Sequence, residues 1–91
     1  LPRSFRIIVR NRLGLHARPA TSFAQVSSGF RCGVRVRRAG EAAWIDGKSV
    51  MQMLLLAATA GTPLEVECEG PDAAEAEKAI IALAERQFDE D

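Results

Sequence analysis

Residues 14–20, GLHARPA, contain the chain's one histidine, His16, two positions ahead of an arginine, Arg18. Gly14 supplies a turn. Pro19 falls where proline is tolerated, in the first turn of a helix whose N–H groups have no intrahelical partners. A helix start of this kind attracts phosphate, because free amides and aligned peptide dipoles both favour an anion. The same partial positive charge disfavours imidazolium relative to neutral imidazole. Neutral imidazole is the nucleophile that attack on a phosphoryl group requires. Arg18 adds a planar guanidinium that can hold two phosphate oxygens together, which a lysine does less specifically. The residues alone leave open which ring nitrogen reacts. The competing readings are a solvated cap histidine and an exposed helix arginine.

A second candidate start is KSVM, Lys48 to Met51. Ser49 reads first as an N-cap, worth about 1 kcal/mol. A phosphate on such a cap also gains from the helix N-terminus, so structural and regulatory roles for Ser49 are compatible. Val50, Met51 and Leu54 divide between packing inward and facing solvent, and Met suits a surface that accepts several partners in turn.

The elements that must position these residues follow from periodicity. Phe5–Val9 is a short β-rich run and predicts a first strand. After Gly14, helical spacing puts Ala20, Phe23 and Ala24 on one face, with Ser27, Ser28 and Gly29 ending the helix. RCGVRVR (31–37) alternates, with Cys32, Val34 and Val36 on one side and Arg31, Arg35 and Arg37 on the other. RAGE (38–41) is a turn, and EAAWID (41–46) returns as a third strand. KSVMQMLLLAATA (48–60) predicts a second helix capped by Gly61. In PLEVECEG (63–70), Leu64, Val66 and Cys68 alternate with Glu65, Glu67 and Glu69. PDAAEAEKAIIALAERQF (71–88) is amphipathic, with Ala76, Ile80, Leu83 and Ala84 on one stripe. The closing Asp89-Glu90-Asp91 reads as frayed and solvated. The order β-α-β-β-α-β-α, with half-apolar strands, predicts an open-faced α+β sandwich with helices on one face of the sheet.

Composition bounds the function. With 91 residues the expectation is one domain, 1–91. A chain of this size buries roughly 60–65% of its unfolded surface, which leaves little room for a deep substrate cleft. Twelve basic residues balance twelve acidic ones, so no net basic field favours nucleic acid. The longest apolar run, Met53–Ala58, is far short of a membrane span, and charges interrupt the N-terminal apolar residues as a signal peptide would not. Cys32 and Cys68 match no metal or CxxC spacing, so they read as small core residues, and no metal or cofactor is expected. Trp44 reads as a sheet-face or partly buried residue. The expectation is a soluble, cytoplasmic monomer.

GLHARPA opening one helix and KSVM opening another, about thirty residues on, resemble the HPr family of phosphocarriers of the bacterial phosphotransferase system. The resemblance spans nearly the whole chain and all seven elements. It implies an antiparallel sheet in the order 1-4-2-3, and the charges agree. An all-glutamate strand 4 would lie between Arg6 and Arg10 of strand 1 and Arg31 and Arg35 of strand 2, and opposite-charge cross-strand pairs stabilise. That order would also bring Cys32 close to Cys68. The resemblance implies a relay protein, not an enzyme, that accepts a phosphoryl group on Nδ1 of His16 from enzyme I, charged from phosphoenolpyruvate. Arg18 would steady the phosphate, and a IIA-type acceptor would receive it. Ser49 would be the target of HPr kinase/phosphorylase, while Lys48, Val50, Met51 and Leu54 would dock partners beside His16. Both the sugar branch and the nitrogen-related branch fit. Two rivals remain: an adaptor that binds a transcription factor through phospho-Ser49, whose relatives lack the active histidine, and a ligand- or RNA-binding module. The second would need basic patches or exposed aromatics, where this sheet offers alternating charge.

Overall fold

Branched apolar residues alternating with charged ones form four strands: β1 (Arg3–Ile8), β2 (Gly33–Arg38), β3 (Ile45–Asp46) and β4 (Pro63–Glu69). The computed structural model describes residues 1–90. The strands pair antiparallel in the order β1-β4-β2-β3. Register sets Phe5 opposite Val66 and Val66 opposite Val36, so the apolar side chains of three strands share one face. The helices α1 (Ala17–Ser28), α2 (Val50–Leu55) and α3 (Ala73–Glu85) cover that face. Phe23, Met53, Leu64, Val66, Ile80, Leu83 and Phe88 are fully buried between the layers.

The solvent face carries the expected charge ladder with altered membership. Glu65 accepts from Arg6 at 3.1 Å and Arg37 at 2.7 Å, and Glu67 accepts from Arg35 at 2.6 Å. Arg10 lies beyond the end of β1 and Arg31 precedes β2, so neither takes part. The backbone N–H of Arg31 instead donates to Asp72 at 2.8 Å, as does that of Cys32, tying the entry of β2 to the start of α3. Trp44 rests on the same face, with the guanidinium carbons of Arg35 and Arg37 each 4.3 Å from its ring centre. Cys32 and Cys68 are buried free thiols that face one another, as the strand order implied. Burial pushes the Cys32 thiol up and raises Cys68 to about 12, with the neighbouring Cys32 adding to the rise.

Three expectations need correction. The third strand is only Ile45–Asp46 rather than 41–46, because exposed Ala42 and Ala43 bring little apolar area to bury. The second helix stops at Leu55 instead of running to residue 60. Ala57 takes a left-handed turn, φ 50°, and the following backbone bonds elsewhere. The Ala58 carbonyl accepts from Leu15 at 2.8 Å, and Gly61 N–H donates to Val9 at 2.6 Å. Tertiary hydrogen bonding thus outcompetes a helical run of good propensity. Finally, the last helix stops at Glu85 rather than reaching Phe88, and Asp89 and Glu90 are not frayed. Gln87–Asp89 form a 3-10 turn with Phe88 fully buried, and Glu90 is half-buried. Asp91, grouped with them at first, lies outside the described residues.

Candidate functional site

Gly14 fixes the approach to the histidine. Its φ is 71°, and a Cβ there would collide with the carbonyl oxygen of Ala58, the acceptor for Leu15 N–H. Both the left-handed backbone and the close approach require glycine. Leu15 is then buried, and His16 emerges half-exposed as the N-cap of α1, in extended conformation. Its side chain makes no cap hydrogen bond, while its carbonyl accepts from Ala20 at 3.0 Å. The amides of Ala17 and Arg18 therefore begin the helix without intrahelical acceptors, and Pro19 has none to satisfy. Arg18 is exposed and pairs with no carboxylate among the described residues. A half-exposed imidazole, free amides and an unpaired guanidinium thus share one helix end, an arrangement that can bind a phosphoryl group.

Two residues absent from the sequence-derived site also meet here. Glu90 Oε2 lies in ion-pair contact with His16 Nε2, an approach lacking the alignment of a hydrogen bond. Asn11, itself buried, donates from Nδ2 to Gln87 O at 2.8 Å and to Glu90 Oε1 at 2.7 Å. The His16 side chain keeps 36% of its surface, yet Nε2 has essentially none. Nδ1 is the nitrogen left for a partner. The one sequence hint was Phe88, a large aromatic directly before the charged Asp89-Glu90-Asp91, which anchors the chain just ahead of Glu90.

The second cluster divides. Ser49 caps α2, its Oγ accepting from Gln52 N–H at 3.2 Å. Lys48 Nζ donates to Phe30 O at 2.8 Å, beyond the far end of α1, and Val50 borders Ala24, Ser28 and Gly29. Since α1 has 12 residues, it is about 18 Å long. Lys48 therefore reaches the end of α1 away from His16, and Val50, expected beside the histidine, borders the second half of that helix instead. Val50 also packs against the core. Met51 is 75% exposed and Leu54 37%, while Leu55 and Leu13, which sequence reasoning passed over, are 74% and 69% exposed. The chain from Leu55 returns to Ala58 beneath Leu15, so this apolar ridge leads from Ser49 toward the histidine. Among the described residues no cluster has the makings of a metal site, and no helix is long and apolar enough to cross a membrane.

A four-stranded open sheet with helices on one face and a half-exposed histidine at the start of the first helix is the architecture of a class of small phosphoryl carriers. Residues 3–86 match the family model described as "PTS HPr component phosphorylation site". The chain is 42% identical over 87 residues to the phosphocarrier protein HPr of Pseudomonas aeruginosa, covering 96% of each chain. It is 41% identical over 86 residues to the phosphocarrier protein NPr of Proteus mirabilis, covering 94% of each. Its fold superposes on the crystal structure of HPr-C-His from Thermoanaerobacter tengcongensis with a TM-score of 0.88, at 34% identity over 98% of both chains. The chain belongs to the HPr family of phosphotransferase-system phosphocarriers.

Proposed function

We propose that this protein accepts a phosphoryl group on Nδ1 of His16 from phosphorylated enzyme I and delivers it to a IIA-type acceptor. One observation carries the reading: a half-exposed imidazole on a helix N-terminus with Nε2 already covered. The Nδ1 electron pair attacks phosphorus while the donor's N–P bond breaks, its pair remaining on the donor nitrogen. The donor ring, protonated on its other nitrogen, leaves as neutral imidazole, and the positive charge passes to the acceptor ring. Amides of Ala17 and Arg18 and the Arg18 guanidinium face the transferred oxygens. The phosphohistidine retains high transfer potential, so the protein is a relay substrate working in the cytoplasm as one domain, without turnover of its own. Met51, Leu54 and Leu55 form the docking ridge, and phosphorylation of Ser49 by HPr kinase/phosphorylase weakens docking there. The presence of His16 favours the carrier over the phospho-Ser49 adaptor.

The test is phosphoenolpyruvate-dependent labelling with purified enzyme I of the sugar branch and of the nitrogen-related branch, which also assigns the branch. Label should be acid-labile and absent from a folded His16→Ala variant. Arg18→Ala should fold normally and transfer ten- to a hundred-fold more slowly, the equivalent of one charge-assisted contact of about 1.5–3 kcal/mol. Acid-stable label, or label on His16→Ala, would overturn the assignment.

A further inference from the structure

The Asn11–Glu90 pair lies outside the apolar core cluster and is set against the His16 ring. We infer that Glu90 is a positioning residue: held by Asn11, it keeps the proton of neutral His16 on Nε2 and so presents the Nδ1 electron pair to the phosphoryl donor. The inference rests on the proposed function for the identity of the reaction, but its first readout does not.

The chain of constraint starts at Phe88. Gln87, Phe88 and Asp89 have φ of 55°, 58° and 60°, a left-handed run that non-glycine residues adopt at a cost. Complete burial of the Phe88 ring and packing of the turn against α1 hold it. The turn aims Gln87 O at Asn11 Nδ2, which fixes the orientation of the Asn11 amide, since only its nitrogen can serve a carbonyl. The same Nδ2 then donates to Glu90 Oε1, leaving Oε2 against His16 Nε2. The contact is not aligned as a hydrogen bond, but a carboxylate offers only negative charge and lone pairs, so the nitrogen it lies against is favoured as the protonated one. During transfer Nδ1–P forms as the donor N–P bond breaks. Nε2 keeps its proton throughout, and the positive charge arriving on the ring faces the Glu90 carboxylate. The acid thus acts twice without touching phosphorus, on the tautomer before attack and on ring charge during it.

The locked Asn11 amide makes one substitution diagnostic. In Glu90→Gln, Oε1 remains the acceptor for Asn11, and the new amide nitrogen turns toward His16. Nε2 then becomes the acceptor and the ring proton moves to Nδ1, blocking the attacking electron pair. In Glu90→Ala neither preference is imposed. The experiment measures 15N shifts and long-range 15N–1H couplings of neutral His16, and single-turnover transfer from phosphorylated enzyme I. Wild type should carry the proton on Nε2, Glu90→Ala should show both tautomers, and Glu90→Gln should favour Nδ1–H. Transfer should slow about ten-fold in Glu90→Ala and further in Glu90→Gln. Loss of negative charge alone would slow both variants equally, so equal rates overturn the inference. An unchanged tautomer or an unchanged rate in either variant does the same. Because each variant carries its own expected tautomer population, a folding defect in one leaves the tautomer readout of the other decisive. Label on His16→Ala would instead defeat the proposed function while leaving the tautomer result to stand by itself.

Discussion

Gly14→Ala tests how the loop before α1 is held. The added methyl meets two penalties at one position. A non-glycine residue at φ 71° costs roughly 1–2 kcal/mol. The Cβ also collides with the Ala58 carbonyl oxygen and lies 3.1 Å from Thr59 Cα, both main-chain atoms that no rotamer change can relieve. Relief requires parting Leu15 N–H from Ala58 O, now 2.8 Å apart, a hydrogen bond worth about 0.5–1.5 kcal/mol net. Together the loss should be about 1.5–3.5 kcal/mol. In a urea titration with a slope of about 1–1.5 kcal/mol per molar, reasonable for a small domain, the midpoint should fall by about 2 M. Phosphoryl transfer, assayed at low urea where the variant remains folded, should also slow, since Leu15 and Ala58 set the height of His16. A midpoint within about 0.3 M of wild type would refute the reasoning and mean the loop has room to move.

Ser49→Asp should retain wild-type stability or gain slightly, because the charge sits on a helix N-terminus, and it should slow transfer from enzyme I at low salt. Its neighbours Lys48 and Val50 border the half of α1 away from His16, so the added charge must act on docking. The defect should therefore appear in the concentration dependence of transfer rather than in the saturated rate, and wild-type kinetics would remove Ser49 from the interface. Stability should also decline in acid. Arg37, then Arg6, hold the Glu65 carboxyl below its ordinary 4.5, and the backbone N–H of Arg31 and then of Cys32 hold Asp72 below its ordinary 3.8. With folded-state values depressed, their contribution is complete above the ordinary values and is lost as pH falls through the depressed ones. Melting temperature should be level from neutrality to about pH 5 and drop below about pH 4; a flat profile to pH 3 would contradict this, and Asp72→Asn should flatten the drop in part.

Element order, sheet face and the core residues Phe23, Val36, Val66 and Ile80 were all readable from alternation and helical spacing, signals carried by neighbours in sequence. His16 and Arg18 were legible for the same reason, since a helix start declares itself locally. The short α2 was not, because Leu15 lies 43 positions before the carbonyl it claims at Ala58, and no window of helix propensity contains that bond. Glu90 was misread on similar grounds. Three consecutive charged residues suggest a solvated end, and the burial of Phe88 that overrides this depends on α1, some sixty residues earlier in the chain. The displaced Lys48 and Val50 show a further limit: a motif marks a helix start without saying how far it lies from another.

The packing of Arg35 and Arg37 on Trp44 makes the molecule its own optical gauge. With one tryptophan and no tyrosine in the chain, ultraviolet excitation addresses a single indole whose emission depends on two guanidinium planes brought together by β2. That indole looks out from the side of the sheet opposite the helices. Its emission should change when the strands part and stay quiet when His16 gains or loses its cargo, separating loss of structure from change of state with no label attached.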